Sequence, residues 1–162
     1  MKKSTWLKRD GFTLIELLVV IAIIGLLSSV VFASLNSARA KARDARRLSD
    51  LHAVSLALSL YYDKNGTFCV AGAGSGGMGW LNYPYTSPVG VAQQLVNLGY
   101  LGSVPVDPTQ TSQTSGYMIL CTQDKFTLYA TLEQASVMPS CTLNGPPYNY
   151  DTAYGKNYCV SQ

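Results

Sequence analysis

At 162 residues the chain has room for one ordinary domain and an appendage, since domains most often run to roughly 100–150 residues. It is 48% hydrophobic and only 13% charged, well under the roughly 25% charged of ordinary soluble domains, which excludes a chain built wholly for water. The net charge of +3 is unevenly spread: three basic side chains face six acidic ones from Leu48 onward, which argues against nonspecific nucleic-acid binding by the C-terminal part.

The first eleven residues, "MKKSTWLKRDG", place Lys2, Lys3, Lys8 and Arg9 against Asp10 and form a basic leader. Behind it Phe12–Leu35 is an apolar stretch of 24 residues in which Glu16 is the only charged side chain. That exceeds the roughly 20 residues needed to cross a bilayer core. It also exceeds the roughly 7–15 apolar residues of a secretory signal, so the segment is expected to stay in the mature protein. The far flank is basic too, with Arg39, Lys41, Arg43, Arg46 and Arg47 against Asp44, so charge counting leaves the orientation open. The cysteines decide it. Cys69, Cys121, Cys141 and Cys159 all lie downstream, with no metal-ligand spacing, and paired cysteines belong in an oxidising compartment. Residues 36–162 are therefore expected outside the cytoplasm, tethered to the cytoplasmic membrane by one span.

The helical pattern does not stop at residue 35. No Gly or Pro occurs from there until Gly66, and Leu51, Val54, Leu58 and Tyr61 share the spacing of one helix face. One helix is predicted over about residues 12–63, its outer half (36–63) amphipathic. A segment too rich in Gly and Pro for regular structure follows, "CVAGAGSGGMGWLNYPYTSPVG". "VAQQLVNLGYLG" reads as a short amphipathic helix ending at Gly99. "GYMILCT" and "KFTLYATLE" read as strands joined at Gln123-Asp124, with "NYCVSQ" a third strand. The fold class is α+β: a long N-terminal helix packed on a small antiparallel sheet, with residues 64–162 as the globular head.

Catalytic chemistry finds no support. His52 is the only histidine and sits in the predicted helix beside Leu51, with no nucleophile paired to it. "GAGSGGMG" lacks the lysine and hydroxyl that complete a phosphate loop, and Asn65-Gly66-Thr67 is a turn signal before it is a glycosylation site. No metal or cofactor is expected. The eleven tyrosines are read chiefly as core and interface residues. The collar at Arg39–Arg47 is either a solvated or lipid-facing helix face, or the partner of acidic groups on another copy. Four cysteines permit three pairings. We expect Cys141–Cys159 to close a C-terminal loop and Cys69–Cys121 to tie the variable loop to the sheet.

Glu16 is the anomaly, because a carboxylate in a membrane span costs on the order of 2.5–3.5 kcal/mol unless it has a partner or a function. Cutting the Gly11–Phe12 bond would create an α-amino group four residues away. The leader ending in Gly11, followed by "FTLIELLVVIAIIGLL", resembles the N-terminal signature of type IV prepilins and pseudopilins. The resemblance implies a membrane peptidase that cuts after Gly11 and methylates Phe12. It further implies a filament in which Glu16 attracts the Phe12 amine of a neighbouring subunit and so sets register.

Further on, "LGYLGSVPVDPTQ" is similar to the major secretion pseudopilins and to pilins of the same layout, with Pro105, Asp107 and Pro108 as the matching positions, read as a rigid turn. Three features depart from the pattern: Ala33 stands where a proline is frequent, four cysteines are present, and the calcium-binding C-terminal loop of those pseudopilins cannot be matched, Asn149 and Asp151 being too few. The last two favour a pilin. The expectation is a structural subunit of a type IV pilus-like filament, a homo-oligomer that engages the prepilin peptidase and a pilus assembly machinery, ending as an extracellular pilus. The alternatives are a periplasmic pseudopilin of secretion or DNA uptake, and a membrane-tethered binding domain that never polymerises.

Overall fold

A computed structural model of the chain describes residues 12–71, 73, 77–82, 90–111, 116–134 and 155–162. In order the elements are α1 (Leu14–Asn65), β1 (Met78–Trp80), α2 (Val91–Asn97), β2 (Met118–Cys121), β3 (Phe126–Ala130) and β4 (Tyr158–Ser161). This is the expected α+β architecture. The chain separates into two units, divided between Arg39 and Ala40.

The first unit carries the apolar part of α1. Its large side chains from Phe12 to Leu35 are 39–83% exposed, and a window of α1 reaches a mean hydropathy of 2.8, long and apolar enough to cross a membrane. α1 ends where the sequence supplies a stop: Gly66 takes φ +66°, its amide donates to Tyr62 O at 2.8 Å, and the Asn65 side-chain amide donates to Tyr61 O.

In the second unit one face of α1 is fully buried through Leu51, Val54, Ala57 and Leu58. These pack with Val91, Ala92 and Leu95 of α2 and with alternate strand residues: Ile119 and Cys121 of β2, and Phe126, Leu128 and Ala130 of β3. The other sheet face carries a smaller cluster of Trp80, Met118, Tyr129 and Cys159, so the period-two alternation of a strand feeds two cores. The strands run antiparallel in the order β1-β2-β3-β4. Tyrosines serve this packing: Tyr62 stacks on Phe68 at 4.3 Å, and Tyr61 meets Tyr100 edge-on.

The hairpin turns at Gln123-Asp124, as expected, closed by the Thr122 amide donating to Lys125 O. β1 departs from expectation. It lies in the Gly-rich segment read as irregular, and the glycine is what permits it. Gly77 has φ +76°, and a Cβ there would stand 1.8 Å from the Cys121 carbonyl oxygen. Only a bare backbone brings Gly77 O within 2.8 Å of the Cys121 amide, which starts the β1–β2 ladder. Cys121 is also bonded to Cys69, a link across 52 residues that by loop entropy adds about 4 kcal/mol. Cys159 is disulfide-bonded as well, while Cys141 falls outside the described residues.

Two glycines separate backbone strain from steric exclusion. A Cβ added at Gly66 would find nothing within 4 Å, so Gly66→Ala meets only the positive φ and should cost about 1 kcal/mol. Gly77→Ala meets both obstacles and is expected to cost about 2–4 kcal/mol, read as a larger fall in the urea midpoint.

Candidate functional site

Two sites stand out, one in each unit. At the start of α1 the Thr13 amide and hydroxyl both donate to Glu16 Oε2, at 2.9 and 2.6 Å, and the Glu16 amide donates back to Thr13 Oγ1 at 3.3 Å. This is a capping box, in which the first helical turn satisfies its own orphan donors. Thr-x-x-Glu ahead of an apolar run is its sequence signal, and it answers part of the question Glu16 raises: the carboxylate has a partner in its own chain. Both Thr13 bonds use Oε2, so Oε1 has no partner among the described residues. Phe12 is 83% exposed, and Gly11 falls outside the described residues.

The basic collar is not one surface. Arg39, Lys41 and Arg46 are exposed, but Arg47 is buried and Arg43 is turned into a cluster of carboxylates. Arg47 uses all five guanidinium donors: Nε and Nη2 fork onto Asp107 at 2.8 and 3.1 Å, Nη1 reaches Asp44 at 2.6 Å and Glu133 at 2.9 Å, and Nη2 also reaches Thr109 Oγ1 at 2.6 Å. Arg43 forks onto Glu133 at 2.7 and 2.6 Å. Asp44 in turn accepts the backbone amides of Glu133 and Gln134. One turn of α1 thereby holds the Pro105–Pro108 segment and the chain leaving β3.

Asp107 is thus more than part of a rigid turn. It is buried, accepts the Thr109 amide and hydroxyl, and closes the fork on Arg47. The sequence signal was an acid between two prolines, with an arginine of unknown depth 60 residues earlier; nothing local joined them. Burial raises the Asp107 carboxyl, but hydrogen bonds from Arg47 and Thr109 outweigh it and hold it below the usual range. Hydrogen bonds from Arg43, then Arg47, bring Glu133 down to about 2. Nearby, Lys156 is buried, donates to Gly116 O at 2.6 Å and sits 5.2 Å from the Trp80 ring centroid. Burial pushes it down to about 8, against the pull of Asp107. Tyr117 donates to Asp50 at 2.8 Å and is raised, first by burial and then by that bond.

Among the described residues no group of three or more His, Cys, Asp or Glu could hold a metal ion. Asn149 and Asp151 lie outside them. His52 is exposed on α1.

Residues 6–32 match the family described as the prokaryotic N-terminal methylation motif. The chain is 34% identical over 101 residues to type II secretion system core protein G of Escherichia coli (strain K12), covering 62% of this chain and 67% of that protein. The same protein of Klebsiella pneumoniae is 33% identical (62% and 69%), and that of Aeromonas hydrophila 32% identical (62% and 68%). The chain belongs to the type IV pilin and type II secretion pseudopilin family. No solved structure matches it. As a member of that family it is a structural subunit and not an enzyme. The apolar part of α1 fits a membrane anchor for such a subunit.

Two expectations follow for this pseudopilin-like head. Arg47→Ala strands Asp107 as an uncompensated buried charge and should lower stability by about 3–5 kcal/mol, and Arg47→Lys should not restore it, because an ammonium cannot make the fork. The pH profile of the urea midpoint tests the charges with opposite outcomes at its two ends. Asp107 and Glu133 are depressed acids, so their stabilisation is present above the ordinary carboxylate range and is lost as pH falls toward about 2. Lys156 is a depressed base. The unfolded chain holds its proton more tightly, so stability should rise as pH climbs from about 8 toward 10, and Lys156→Met should abolish that rise.

Proposed function

We propose that the chain is a pseudopilin of a type II secretion system: a precursor anchored in the cytoplasmic membrane, cut after Gly11 and methylated on Phe12, that adds to a short periplasmic filament. The observation that carries this is the 101-residue similarity to core protein G, which extends beyond the methylation motif. It weighs against the extracellular pilus that the four cysteines and the unmatched calcium loop favoured. A disulfide suits a head folded in an oxidising periplasm as well as one on a surface pilus.

In this reading Glu16 has two tasks. Its Oε2 caps its own helix through Thr13, and Oε1 remains for the methylated Phe12 amine of a neighbouring subunit. An unpaired charge in an apolar bundle is costly, so a subunit one turn out of register leaves two charges unmatched. The exposed remainder of the collar, Arg39, Lys41 and Arg46, supplies contacts to anionic headgroups before assembly or to acidic groups of other copies after it.

Mass spectrometry of the protein recovered from cells should find an N-terminal peptide beginning at Phe12 with a methylated amine. A chain still beginning at Met1 in peptidase-competent cells would overturn the proposal in favour of a tethered domain. Disruption of the gene should abolish secretion of exported proteins without removing visible surface filaments; the reverse pattern would restore the pilus.

A further inference from the structure

The chain leaves α1 through one of its two Asn-Gly pairs, Asn65-Gly66, the other being Asn144-Gly145. In an Asn-Gly pair the asparagine side chain is open to attack by its own backbone, because glycine places no Cβ beside the next amide nitrogen. Both residues are exposed, and the space around Gly66 is empty: a Cβ added there would meet nothing within 4 Å. Water and hydroxide reach the pair freely. What closes it is hydrogen bonding and backbone shape. Asn65 Nδ2 donates to Tyr61 O at 2.8 Å, and the Gly66 amide nitrogen, the atom that would attack, donates to Tyr62 O at 2.8 Å. Asn65 is also the last residue of α1, and a helical backbone holds its side-chain carbonyl carbon away from the following nitrogen. Beyond Gly66 the chain has little slack, since the Phe68 amide donates to Gln123 O and Cys69 is bonded to Cys121.

We propose that Asn65 is a site of spontaneous deamidation, closed while the cap of α1 is formed and open whenever that end frays or the head unfolds. The reaction needs only water. The Gly66 nitrogen gives its proton to hydroxide and attacks Asn65 Cγ. The Cγ–Nδ2 bond breaks, Nδ2 leaves as ammonia with a proton from water, and the new C–N bond closes a five-membered imide. Water then opens either C–N bond of that ring, leaving aspartate, or isoaspartate with an extra carbon in the main chain. The change does not reverse. Either product lacks the Nδ2 donor to Tyr61 O and sets a carboxylate at the negative end of the α1 dipole. Isoaspartate also displaces Gly66 from the position that leads into the Cys69–Cys121 link. A head that is slow to fold, or held open after folding, is thereby marked and loses the cap that would close it. This holds whether the filament is periplasmic or extracellular.

The full chain in mild detergent is kept in warm, mildly alkaline buffer, folded in one sample and unfolded by urea in another. Peptides carrying Asn65 and Asn144 are weighed by mass spectrometry at intervals, with isoaspartate separated by chromatography. In urea both pairs should convert at comparable rates. In the folded sample conversion at Asn65 should be slower by about tenfold or more, a factor set by the fraction of time the cap is open. Equal rates at Asn65 in the two samples would overturn the guarding role of the cap. An Asn65 that stays intact in urea, whatever Asn144 does, would overturn the site itself. Gly66→Ala should slow conversion in urea by about tenfold, because its Cβ stands beside the attacking nitrogen; an unchanged rate would point to direct hydrolysis of the side chain and sink the backbone attack. Asn65→Asp, which imitates the product, should lower the melting temperature by about 3 °C. No change there would overturn the loss of the cap.

Discussion

The guanidinium of Arg47 is buried in the head with every donor occupied, and the arrangement of the second unit follows from that. A buried cation with five N–H groups requires acceptors from several directions, and here they come from α1 itself, from the Pro105–Pro108 segment and from the end of β3. Two arginines and three carboxylates meet there, leaving one negative charge in excess, and the buried ammonium of Lys156 lies within the field of Asp107. Such a cluster adds little net stability over an apolar plug of the same size, because desolvation offsets most of the attraction. What it adds is geometry. Leucines facing leucines allow a helix to slip by a turn, whereas a forked pair does not.

The same physics divides α1 into two differently built halves. The first half leaves its large side chains open, and its single carboxylate is engaged within the first turn by Thr13. The second half is charged heavily for two turns, and the charges are sorted by depth: Arg43 and Arg47 inward, Lys41 and Arg46 outward. A run of five basic residues therefore presents less positive surface than its composition suggests. Secretion pseudopilins and pilins share the first half as a signature, which is why the methylation motif identifies the family but not the machine; the similarity to core protein G beyond that motif is what tilts the choice.

Features written in periodicity were legible in the sequence. The buried stripe of α1, the short helix before Gly99, the Gln123-Asp124 hairpin and the C-terminal strand all have local signals, and the structure places them within a few residues of expectation. What escaped depended on pairs far apart or on short patterns overshadowed by longer ones. β1 is three residues in a glycine-rich run, made possible by a close approach to Cys121 that no local rule reports. The Thr13–Glu16 box was hidden because the same four residues also belong to a membrane span, where a carboxylate reads first as a liability. The depth of Arg47 is set by Asp107, 60 residues away, and by Glu133, 86 residues away. Charge counting treats all five collar residues alike; only the fold separates them.

The link between Cys69 and Cys121 also sets where tension travels. Immediately after α1 ends, the Phe68 amide donates to Gln123 O and the next residue is bonded covalently to β2. A pull applied along α1 reaches the head by two routes, through that staple into the central β2–β3 pair and through the Arg47 fork onto Asp107. The staple carries its part of that load over a covalent link, whereas the Arg47 fork carries its part over hydrogen bonds alone.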